Sequence, residues 1–464
     1  MAIKFGTDGW RAVIADEYTF ENLKKISKAT AIAFEGHPKI NNGIAVGYDT
    51  RFLSKEFADC AAEVFANHGI KVYLTDSFVT TPTVSLLSRD KNLAYGVMIT
   101  SSHNPAKYNG FKLKDEFGGS MGPVHLNVIE EKLKNSDSFN YGSGTLEEFI
   151  TSGKIEYIKG KDYYRNTLKE KIDTDVINSS GVKIIYDAMY GSGQGMMDGI
   201  INITAIRNEV NPSFGGSSPE PVQKNLSLIS GEMKSGKFDI GIVTDGDADR
   251  IAIFDENGEF VDAQKTFALL LTYMVENKKM TGGVVRGFSS SDVIKEICNE
   301  YGLKLYTVPI GFKYISELMI KEDILIGAEE SGGIGLKHHL PERDGIFNGM
   351  MFSEMLAVKK KKMSELIAEI EGKYGKYYYK RIDQHLSSNE LKAELIELTK
   401  GLREVAGLEV VGQDTLDGCK LLFKNGWLLV RASGTEPLLR IYTETTGENK
   451  TEEILSDIKK KFKL

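Results

Sequence analysis

The chain has 464 residues, with 58 basic and 65 acidic side chains and a formal net charge of −7 at pH 7. This acidic balance gives no reason to expect nucleic-acid binding, which needs a basic face. Its three cysteines, Cys60, Cys298 and Cys419, are odd in number and far apart, so we expect buried thiols in a reducing compartment rather than a disulfide framework or a zinc site.

The length and the apolar runs limit the class of protein further. At about 100 to 200 residues per domain, the chain allows three or four domains. Residues 1–6 lack the apolar core of a signal peptide. The longest apolar run, residues 267–275, is too short to span a bilayer. We therefore expect a cytoplasmic protein without a membrane partner.

Residues 100–105 read Thr-Ser-Ser-His-Asn-Pro and are followed by Tyr-Asn-Gly-Phe-Lys at residues 108–112. Hydroxyl groups stand beside His103, Pro105 stops local helix formation, and Lys112 lies within reach of a short loop. This arrangement can present an exposed nucleophile. The same residues also suit an ordinary turn, because Ser and Asn cap turns before a proline.

An acidic loop, residues 245–250, follows the apolar run 240–244, which is typical of a buried strand. Open α/β sheets place their ligands at the carboxyl ends of strands. Carboxylates at alternate positions of this loop can converge, and each close pair would repel by about 4 kcal/mol at ~4 Å and an effective dielectric of about 20. Such hard oxygen ligands suit Mg²⁺. The three carboxylates belong to Asp245, Asp247 and Asp249.

Two other interpretations of this loop are alternatives to a Mg²⁺ site. A solvated acidic turn would let Arg250 pair with one carboxylate. An EF-hand is excluded, because its sixth position requires Gly where Arg250 stands and residues 251–254 continue as a strand. Asn257 and Gly258 between apolar runs then predict a two-residue hairpin turn.

The glycine-rich residues 327–335 follow another apolar run, residues 324–326. The spacing of these glycines differs from that of a dinucleotide loop, and paired glutamates would repel a phosphate. Glu329 and Ser331 suit the hydroxyl groups of a sugar. A plain Gly-rich loop is the alternative.

Residues 431–440 read Arg-Ala-Ser-Gly-Thr-Glu-Pro-Leu-Leu-Arg. Two guanidiniums, two hydroxyls and the N–H groups of a Gly turn offer many donors to one tetrahedral anion, so the segment predicts a phosphate site. Residues 428–430 and 441–442 predict strands that frame the turn. A surface turn with two solvated arginines is the alternative.

Together the loops supply a nucleophile, a metal triad, a hydroxyl-binding loop and a phosphate clamp. We find no Gly-x-x-x-x-Gly-Lys-Ser/Thr segment of a nucleotide site. The combination indicates chemistry on a phosphorylated, hydroxyl-rich small molecule. Spacing does not decide whether the phosphoryl group passes to water or returns to the sugar.

The four loops, in this order, resemble the α-D-phosphohexomutase family, which includes phosphoglucomutases, phosphomannomutases and phosphoglucosamine mutases. The resemblance covers essentially the whole chain and begins at Phe-Gly-Thr-Asp-Gly-Trp-Arg, residues 5–11. Further matching segments are residues 47–51, 219–221 with 225–226, and 311–315, and residues 339–345 resemble the glucose-specific branch of the family.

The resemblance implies an α/β fold of four domains around a central cleft. Three related α/β domains would precede a smaller C-terminal α+β domain. The expected domains are residues 1–152 with the phosphoserine loop, 153–258 with the metal loop, 259–373 with the sugar loop and 374–464 with the phosphate loop.

The resemblance also implies roles for individual residues. Ser102 would be the phosphoserine and would hold one Mg²⁺ together with the three aspartates. Lys112 matches a proposed general acid/base, a role that requires a lowered pKa. The other catalytic positions are Arg11, His103 and Arg250. The sugar-binding positions are Glu329, Ser331 and His339. The phosphate-binding positions are Arg431, Ser433, Gly434, Thr435 and Arg440, with Lys313 as a further candidate.

The implied reaction is a reversible exchange between a hexose 1-phosphate and a hexose 6-phosphate through a hexose 1,6-bisphosphate. Glucose 1,6-bisphosphate would serve as activator, hexose phosphates would be the partners, and the protein would be a monomer or a homodimer. Phosphomannomutases and phosphoglucosamine mutases tend to carry His where Gly333 stands, which favours glucose here. Mannose or glucosamine phosphates, a sugar-phosphate phosphatase and a non-catalytic sugar-phosphate sensor are the alternatives.

Overall fold

The computed structural model describes residues 3–6, 8–432 and 438–463. The chain forms two compact units. One contains residues 1–266 and 312–364, and the other contains residues 267–311 and 365–464.

The first unit begins with a six-stranded mixed sheet in the order β1-β5-β4-β2-β3-β6. Its elements are β1 (Trp10–Val13), α1 (Phe20–Ala33), β2 (Ile44–Tyr48), α2 (Ser54–Asn67), β3 (Val72–Thr75), α3 (Thr81–Asp90), β4 (Gly96–Ile99), β5 (Tyr108–Lys114), α4 (Pro123–Leu133), α5 (Leu146–Thr151) and β6 (Ile155–Ile158). Strand β2 pairs in parallel with β3 and β4, whereas β5 is antiparallel to β4 and β1.

The apolar sequence of the central strands explains their position. Every residue of β2 and of β4 is buried, as expected for parallel strands that are covered on both faces. Helix α3 begins where the Thr80 hydroxyl accepts the N–H of Thr83, and Pro82 stands in its first turn. The loop from β4 to β5 therefore leaves the carboxyl end of a buried strand.

A second sheet in the same unit has the order β11-β10-β9-β7-β8. Its elements are α6 (Gly160–Lys171), α7 (Thr174–Ser180), β7 (Ile184–Asp187), β8 (Ile203–Ile206), α8 (Ser227–Met233), β9 (Ile240–Thr244), β10 (Ile251–Phe254) and β11 (Phe260–Val261). Strand β9 is fully buried, as its apolar sequence predicts.

The hairpin after β10 is longer than predicted. Phe254 pairs with Phe260, and the Asp255 N–H donates to the Glu259 carbonyl at 3.0 Å, so the turn is not the expected two-residue type. Gly258 still adopts a left-handed φ of 77° inside it. The Asp255 carboxylate accepts backbone N–H groups of Asn257 and Glu259 at 2.9 Å, which stabilises the longer turn.

The next segment contains two strand pairs. Its elements are α9 (Ala263–Glu276), β12 (Gly283–Gly287), α10 (Val293–Tyr301), β13 (Leu305–Val308), α11 (Phe312–Lys321), β14 (Ile324–Ala328), β15 (Ile334–Leu336), α12 (Gly345–Lys359) and α13 (Met363–Tyr374). Strands β12 and β13 are parallel, and β14 and β15 are antiparallel. Residues 345–357 of α12 are all buried, as expected for a helix that is apolar on every side.

The C-terminal segment folds around an antiparallel sheet in the order β16-β22-β21-β20-β19. Its elements are β16 (Tyr378–His385), α14 (Glu390–Gly401), β17 (Glu404–Val405), β18 (Leu408–Glu409), β19 (Gly412–Asp414), β20 (Cys419–Phe423), β21 (Gly426–Ala432), β22 (Leu438–Thr445) and α15 (Glu448–Phe462). Leu395 of α14 and Ile454 of α15 share a core with Leu428 and Ile441 of the sheet. This is the predicted α+β arrangement.

Two expectations from composition can be compared with the described residues. Cys60, Cys298 and Cys419 are free and buried, as predicted. Across the described ranges, each helix is either too short or too polar to cross a membrane.

We predict that Leu74→Ala lowers the free energy of unfolding by about 2 to 5 kcal/mol, because it leaves a cavity in the core. Leu74 lies in β3 and has no exposed surface. The matched control is Leu228→Ala, whose side chain is 48% exposed and whose effect should stay within about 0.5 kcal/mol. Urea denaturation followed by circular dichroism measures both, and equal losses would contradict the assigned core.

Candidate active site

Ser102 lies in the loop between β4 and β5 and is almost fully buried. Its backbone adopts a left-handed φ of 51°, which is uncommon for a residue other than Gly. The Ser102 Oγ donates to Asp245 Oδ2 at 2.8 Å and lies 3.3 Å from His103 Nδ1. The structure therefore brings the predicted nucleophile into contact with the predicted metal loop.

The metal loop follows β9, at the carboxyl end of a buried strand. Asp245, Asp247 and Asp249 are fully buried, and one oxygen of each lies within 4.8 Å of the others. Asp245 Oδ1 accepts the backbone N–H groups of Asp249 and Arg250 at 3.1 and 3.2 Å. The loop thus turns back on itself and points three carboxylates at one region.

The donor set of this loop fits a divalent cation. Asp247 Oδ1 and Asp249 Oδ1 are buried and have no hydrogen-bond partner among the described residues. Burial raises the pKa of Asp245 well above its ordinary value, and the carboxylates of Asp247 and Asp249 raise it further. Hard oxygen ligands with unused lone pairs suit Mg²⁺.

Lys112 lies on β5 with its side chain fully buried. Its Nζ is 2.8 Å from Asp247 Oδ2, 3.0 Å from Asp249 Oδ2 and 2.8 Å from Asp8 Oδ2. Burial by itself would lower the pKa of Lys112, but these carboxylates outweigh it and raise the pKa above the ordinary value. The predicted lowering of this pKa is therefore wrong for the described arrangement, because three anions hold the ammonium.

The other predicted catalytic residues surround the Ser102 loop. Arg11, on β1, donates from Nη1 to Asn104 Oδ1 at 2.7 Å. Arg250 Nε is buried and has no hydrogen-bond partner among the described residues. Burial lowers the pKa of His103 well below its ordinary value, and the charge of Arg250 lowers it further. The imidazole beside Ser102 is therefore neutral at pH 7.

In the predicted sugar loop, Glu329 follows β14 and is 8% exposed. Burial raises the pKa of its carboxyl to about 7. Ser331, two residues later, is half-buried. The Gly332 carbonyl accepts the N–H of Ile251 at 3.0 Å, so the sugar loop is joined to the strand that follows the metal loop.

Arg343 is a site residue that the sequence did not single out. Its Nη2 lies 2.7 Å from Asp8 Oδ2 and 2.8 Å from Asp249 Oδ2, and its Nη1 lies 3.6 Å from Glu329 Oε2. A Cβ added at Gly333 would stand 2.3 Å from Arg343 Cδ. A side chain at position 333 would therefore displace the arginine that links the sugar loop to the metal loop.

His339 is buried and lies, in sequence, between the sugar loop and α12. Its Nε2 is 2.7 Å from Asp344 Oδ2, and its ring stacks on Phe347 with the ring centroids 3.9 Å apart. Its side chain is 1% exposed. These contacts place His339 at the start of α12 and do not test its sugar-binding role, which stays a prediction.

The predicted phosphate residues lie mainly in the second unit. Arg431 and Arg440 are directly opposed on β21 and β22, the strands that the sequence predicts on either side of the turn. Arg431 Nε donates to Asp417 Oδ2 at 2.9 Å. Lys313 belongs to the first unit, at the start of α11, with Nζ 5.1 Å from the centre of the Tyr314 ring. Ser433, Gly434 and Thr435 lie outside the described residues.

Three polar residues of the site were missed by sequence reasoning. Asp8 contacts Lys112 and Arg343, and Thr81 donates from Oγ1 to Asp247 Oδ2 at 2.6 Å. Asp8 and Arg343 lie in segments that resemble the family, residues 5–11 and 339–345. The charged side chains of these segments could have been predicted as site residues. Thr81 had no such signal, because it is the first residue of an ordinary helix.

The chain is similar to known proteins over nearly its whole length. Models of the phosphoglucomutase/phosphomannomutase family match residues 2–140 (alpha/beta/alpha domain I), 162–258 (domain II), 262–374 (domain III) and 390–461 (C-terminal domain). A phosphoglucomutase/phosphomannomutase of Thermococcus kodakarensis is 29% identical over 97% of this chain and 96% of its own. A phosphoglucosamine/phosphogalactosamine mutase of Sulfurisphaera tokodaii is 31% identical over 98% of both chains.

A solved structure from Thermus thermophilus is 31% identical, with a TM-score of 0.88 and full coverage of both chains. The four matched domains, these whole-length relatives and the buried aspartate triad beside Ser102 lead to one conclusion. The chain belongs to the phosphoglucomutase/phosphomannomutase family, the α-D-phosphohexomutases.

Proposed function

We propose that this phosphohexomutase interconverts hexose 1-phosphate and hexose 6-phosphate, with glucose favoured, through phospho-Ser102 and a hexose 1,6-bisphosphate. The observation that carries the proposal is the 2.8 Å contact between Ser102 Oγ and Asp245. It sets a hydroxyl nucleophile beside carboxylate oxygens suited to a metal. Each of the four proposed domains would contribute one of these loops to the reaction. The domains are residues 1–152, 153–258, 259–373 and 374–464.

In the forward step, the bond between phosphorus and Ser102 Oγ breaks as a sugar hydroxyl oxygen bonds to phosphorus. The hydroxyl proton passes to a neighbouring base, for which the neutral imidazole of His103 is the candidate. The Lys112 ammonium is the candidate acid that protonates the departing Ser102 Oγ. Asp245, Asp247 and Asp249 would hold one Mg²⁺, and the bound ion would stabilise negative charge on the transferring group. Arg11, Arg250 and the Lys112 ammonium add positive charge around the same group.

After the first transfer, the bisphosphate turns around and its other phosphate returns to Ser102. Glu329 and Ser331 would bind the sugar hydroxyls. The opposed guanidiniums of Arg431 and Arg440 would grip the phosphate that is not reacting, because two forks suit a tetrahedral anion. Ser433, Gly434 and Thr435 belong to the same proposed phosphate site, and Lys313 is a separate candidate for phosphate binding.

The choice of glucose rests on Gly333. The named relatives cover glucose, mannose, glucosamine and galactosamine phosphates, so the comparisons do not select one sugar. In this chain Arg343 fills the space that a histidine at position 333 would need. Mannose or glucosamine phosphate is the second candidate substrate.

We expect purified protein, with Mg²⁺ and a trace of glucose 1,6-bisphosphate, to convert glucose 1-phosphate to the 6-phosphate faster than it converts mannose or glucosamine 1-phosphate. Phosphorus NMR would follow each sugar separately. Ser102→Ala should lower kcat by about 10⁴-fold or more, because the nucleophile is lost. Ser101→Ala is the control, since the Ser101 hydroxyl is buried without a hydrogen-bond partner among the described residues.

Other outcomes of this experiment would change the proposal. Release of inorganic phosphate that equals the loss of substrate would make the protein a phosphatase. Full activity of Ser102→Ala would remove the nucleophile assignment. Binding of hexose phosphates without any conversion would favour the sensor.

Removal of Mg²⁺ by EDTA should abolish turnover, and added Mg²⁺ should restore it. Asp247→Asn should weaken Mg²⁺ binding at least about 10- to 100-fold, the loss that even outer-shell changes produce. Asp255→Asn is the control, because Asp255 is also buried in this sheet but caps the hairpin turn. Calorimetric titration with Mg²⁺ measures both, and equal losses in the two variants would count against the triad.

The pKa of about 7 for Glu329 predicts a pH dependence of KM. Below pH 7 the carboxyl is protonated, and above it the carboxylate accepts hydrogen bonds from sugar hydroxyls more strongly. KM should therefore fall about tenfold between pH 6 and pH 8. Glu329→Gln should retain only the part of this slope that comes from the substrate phosphate, so an identical slope in both proteins would exclude Glu329 as the titrating group.

A further inference from the structure

Arg51 stands in the Gly-Tyr-Asp-Thr-Arg segment, residues 47–51, which has no role in the proposed function so far. It follows β2, and its side chain has no exposed surface. A guanidinium carries five N–H donors in a rigid plane, and a buried one is costly unless each donor has an acceptor.

All five donors of Arg51 have acceptors. Nε donates to Asp49 Oδ2 at 3.1 Å, and the two terminal nitrogens donate to four backbone carbonyls. These carbonyls belong to Ser102 (2.5 Å), Asn104 (2.8 Å), Pro105 (3.0 Å) and Tyr108 (3.1 Å). One side chain therefore holds the backbone of residues 102–108 at four points.

Asp49 extends this network to the other side of Ser102. Its Oδ2 accepts the Thr100 hydroxyl at 2.6 Å, and Thr100 Oγ1 in turn accepts the Ser102 N–H at 2.9 Å. Its Oδ1 accepts the Ser54 hydroxyl at 2.8 Å. Both the N–H and the carbonyl of Ser102 are thus fixed, in a left-handed conformation that needs such support.

The same carbonyl lies against the metal loop. A Cβ added at Gly246 would stand 2.4 Å from the Ser102 carbonyl oxygen and 3.5 Å from Arg51 Nη2. The guanidinium carbon also lies 4.8 Å from the centre of the Phe214 ring. The Arg51 side chain therefore packs against the Ser102 loop, Gly246 and Phe214, and these contacts restrict its movement.

We propose that Arg51 is a positioning residue, which fixes the backbone of residues 102–108 so that Ser102 Oγ faces Asp245. The inference rests on the proposed role of Ser102 in phosphoryl transfer. Lysine cannot replace Arg51, because an ammonium has three donors and lacks the planar fork that serves four carbonyls. Loss of the fork would misplace the nucleophile without touching the groups that bind the sugar.

The test compares Arg51→Lys with Arg207→Lys. Arg207 also pairs with a buried aspartate, Asp187, through Nε at 2.8 Å. We expect Arg51→Lys to lower kcat about 100-fold, the effect of a displacement of about 1 Å, with KM within about threefold of the wild type. Arg207→Lys should change neither constant. Kinetics are measured well below the unfolding midpoint of each variant, which differential scanning calorimetry supplies.

A second variant keeps the inference testable if Arg51→Lys does not fold. Thr100→Val preserves shape but removes the hydroxyl that holds the Ser102 N–H, and it should lower kcat about tenfold with little change in KM. A kcat near the wild-type value in the variants that fold, a loss confined to KM, or an equal loss in Arg207→Lys would overturn the role of Arg51. Failure of the proposed function has a different signature, since Ser102→Ala would then retain activity whatever Arg51→Lys does.

Discussion

A buried cluster of carboxylates and cations forms the candidate site in the first unit. Among the described ion pairs, five carboxylates (Asp8, Asp247, Asp249, Glu329 and Glu342) share three cations (Lys112, Lys114 and Arg343), and the charges of Arg11 and Arg250 act on the same cluster. Ionised groups are costly to bury unless they are paired. Asp245 is a further buried carboxyl of this cluster, and it takes part in none of the ion pairs cited above. A divalent cation would offset the repulsion among the three closely spaced aspartates, Asp245, Asp247 and Asp249.

Backbone hydrogen bonds from two helices fix the conformation of the metal loop. The Thr81 N–H donates to the Asp247 carbonyl at 3.0 Å, and the Gly345 N–H donates to the Ala248 carbonyl at 3.0 Å. Helices α3 and α12 therefore begin at the loop, and the positive ends of their dipoles lie beside its carboxylates. The geometry of the aspartates depends on segments far apart in sequence rather than on the loop alone.

Short-range sequence patterns predicted the strands that frame the site and the three aspartates of the metal loop. Apolar runs gave β9, β14 and the strands around the phosphate turn, and alternate aspartates gave the triad. The longer hairpin after β10 was missed, because the Asp255 carboxylate that stabilises it lies outside the Asn-Gly pair on which the prediction rested. The raised pKa of Lys112 and the buried position of His339 could not be predicted, because each depends on side chains from distant segments.

The contact between Gly333 and Arg343 constrains how this protein could evolve. A histidine at position 333 would collide with Arg343, whose side chain is 5% exposed and is held by Asp8, Asp249 and Glu342. Removing Arg343 first would leave those carboxylates short of a counter-charge, and adding the histidine first would create a steric clash. The two positions are therefore coupled, because a histidine at position 333 requires the Arg343 side chain to move or to be replaced.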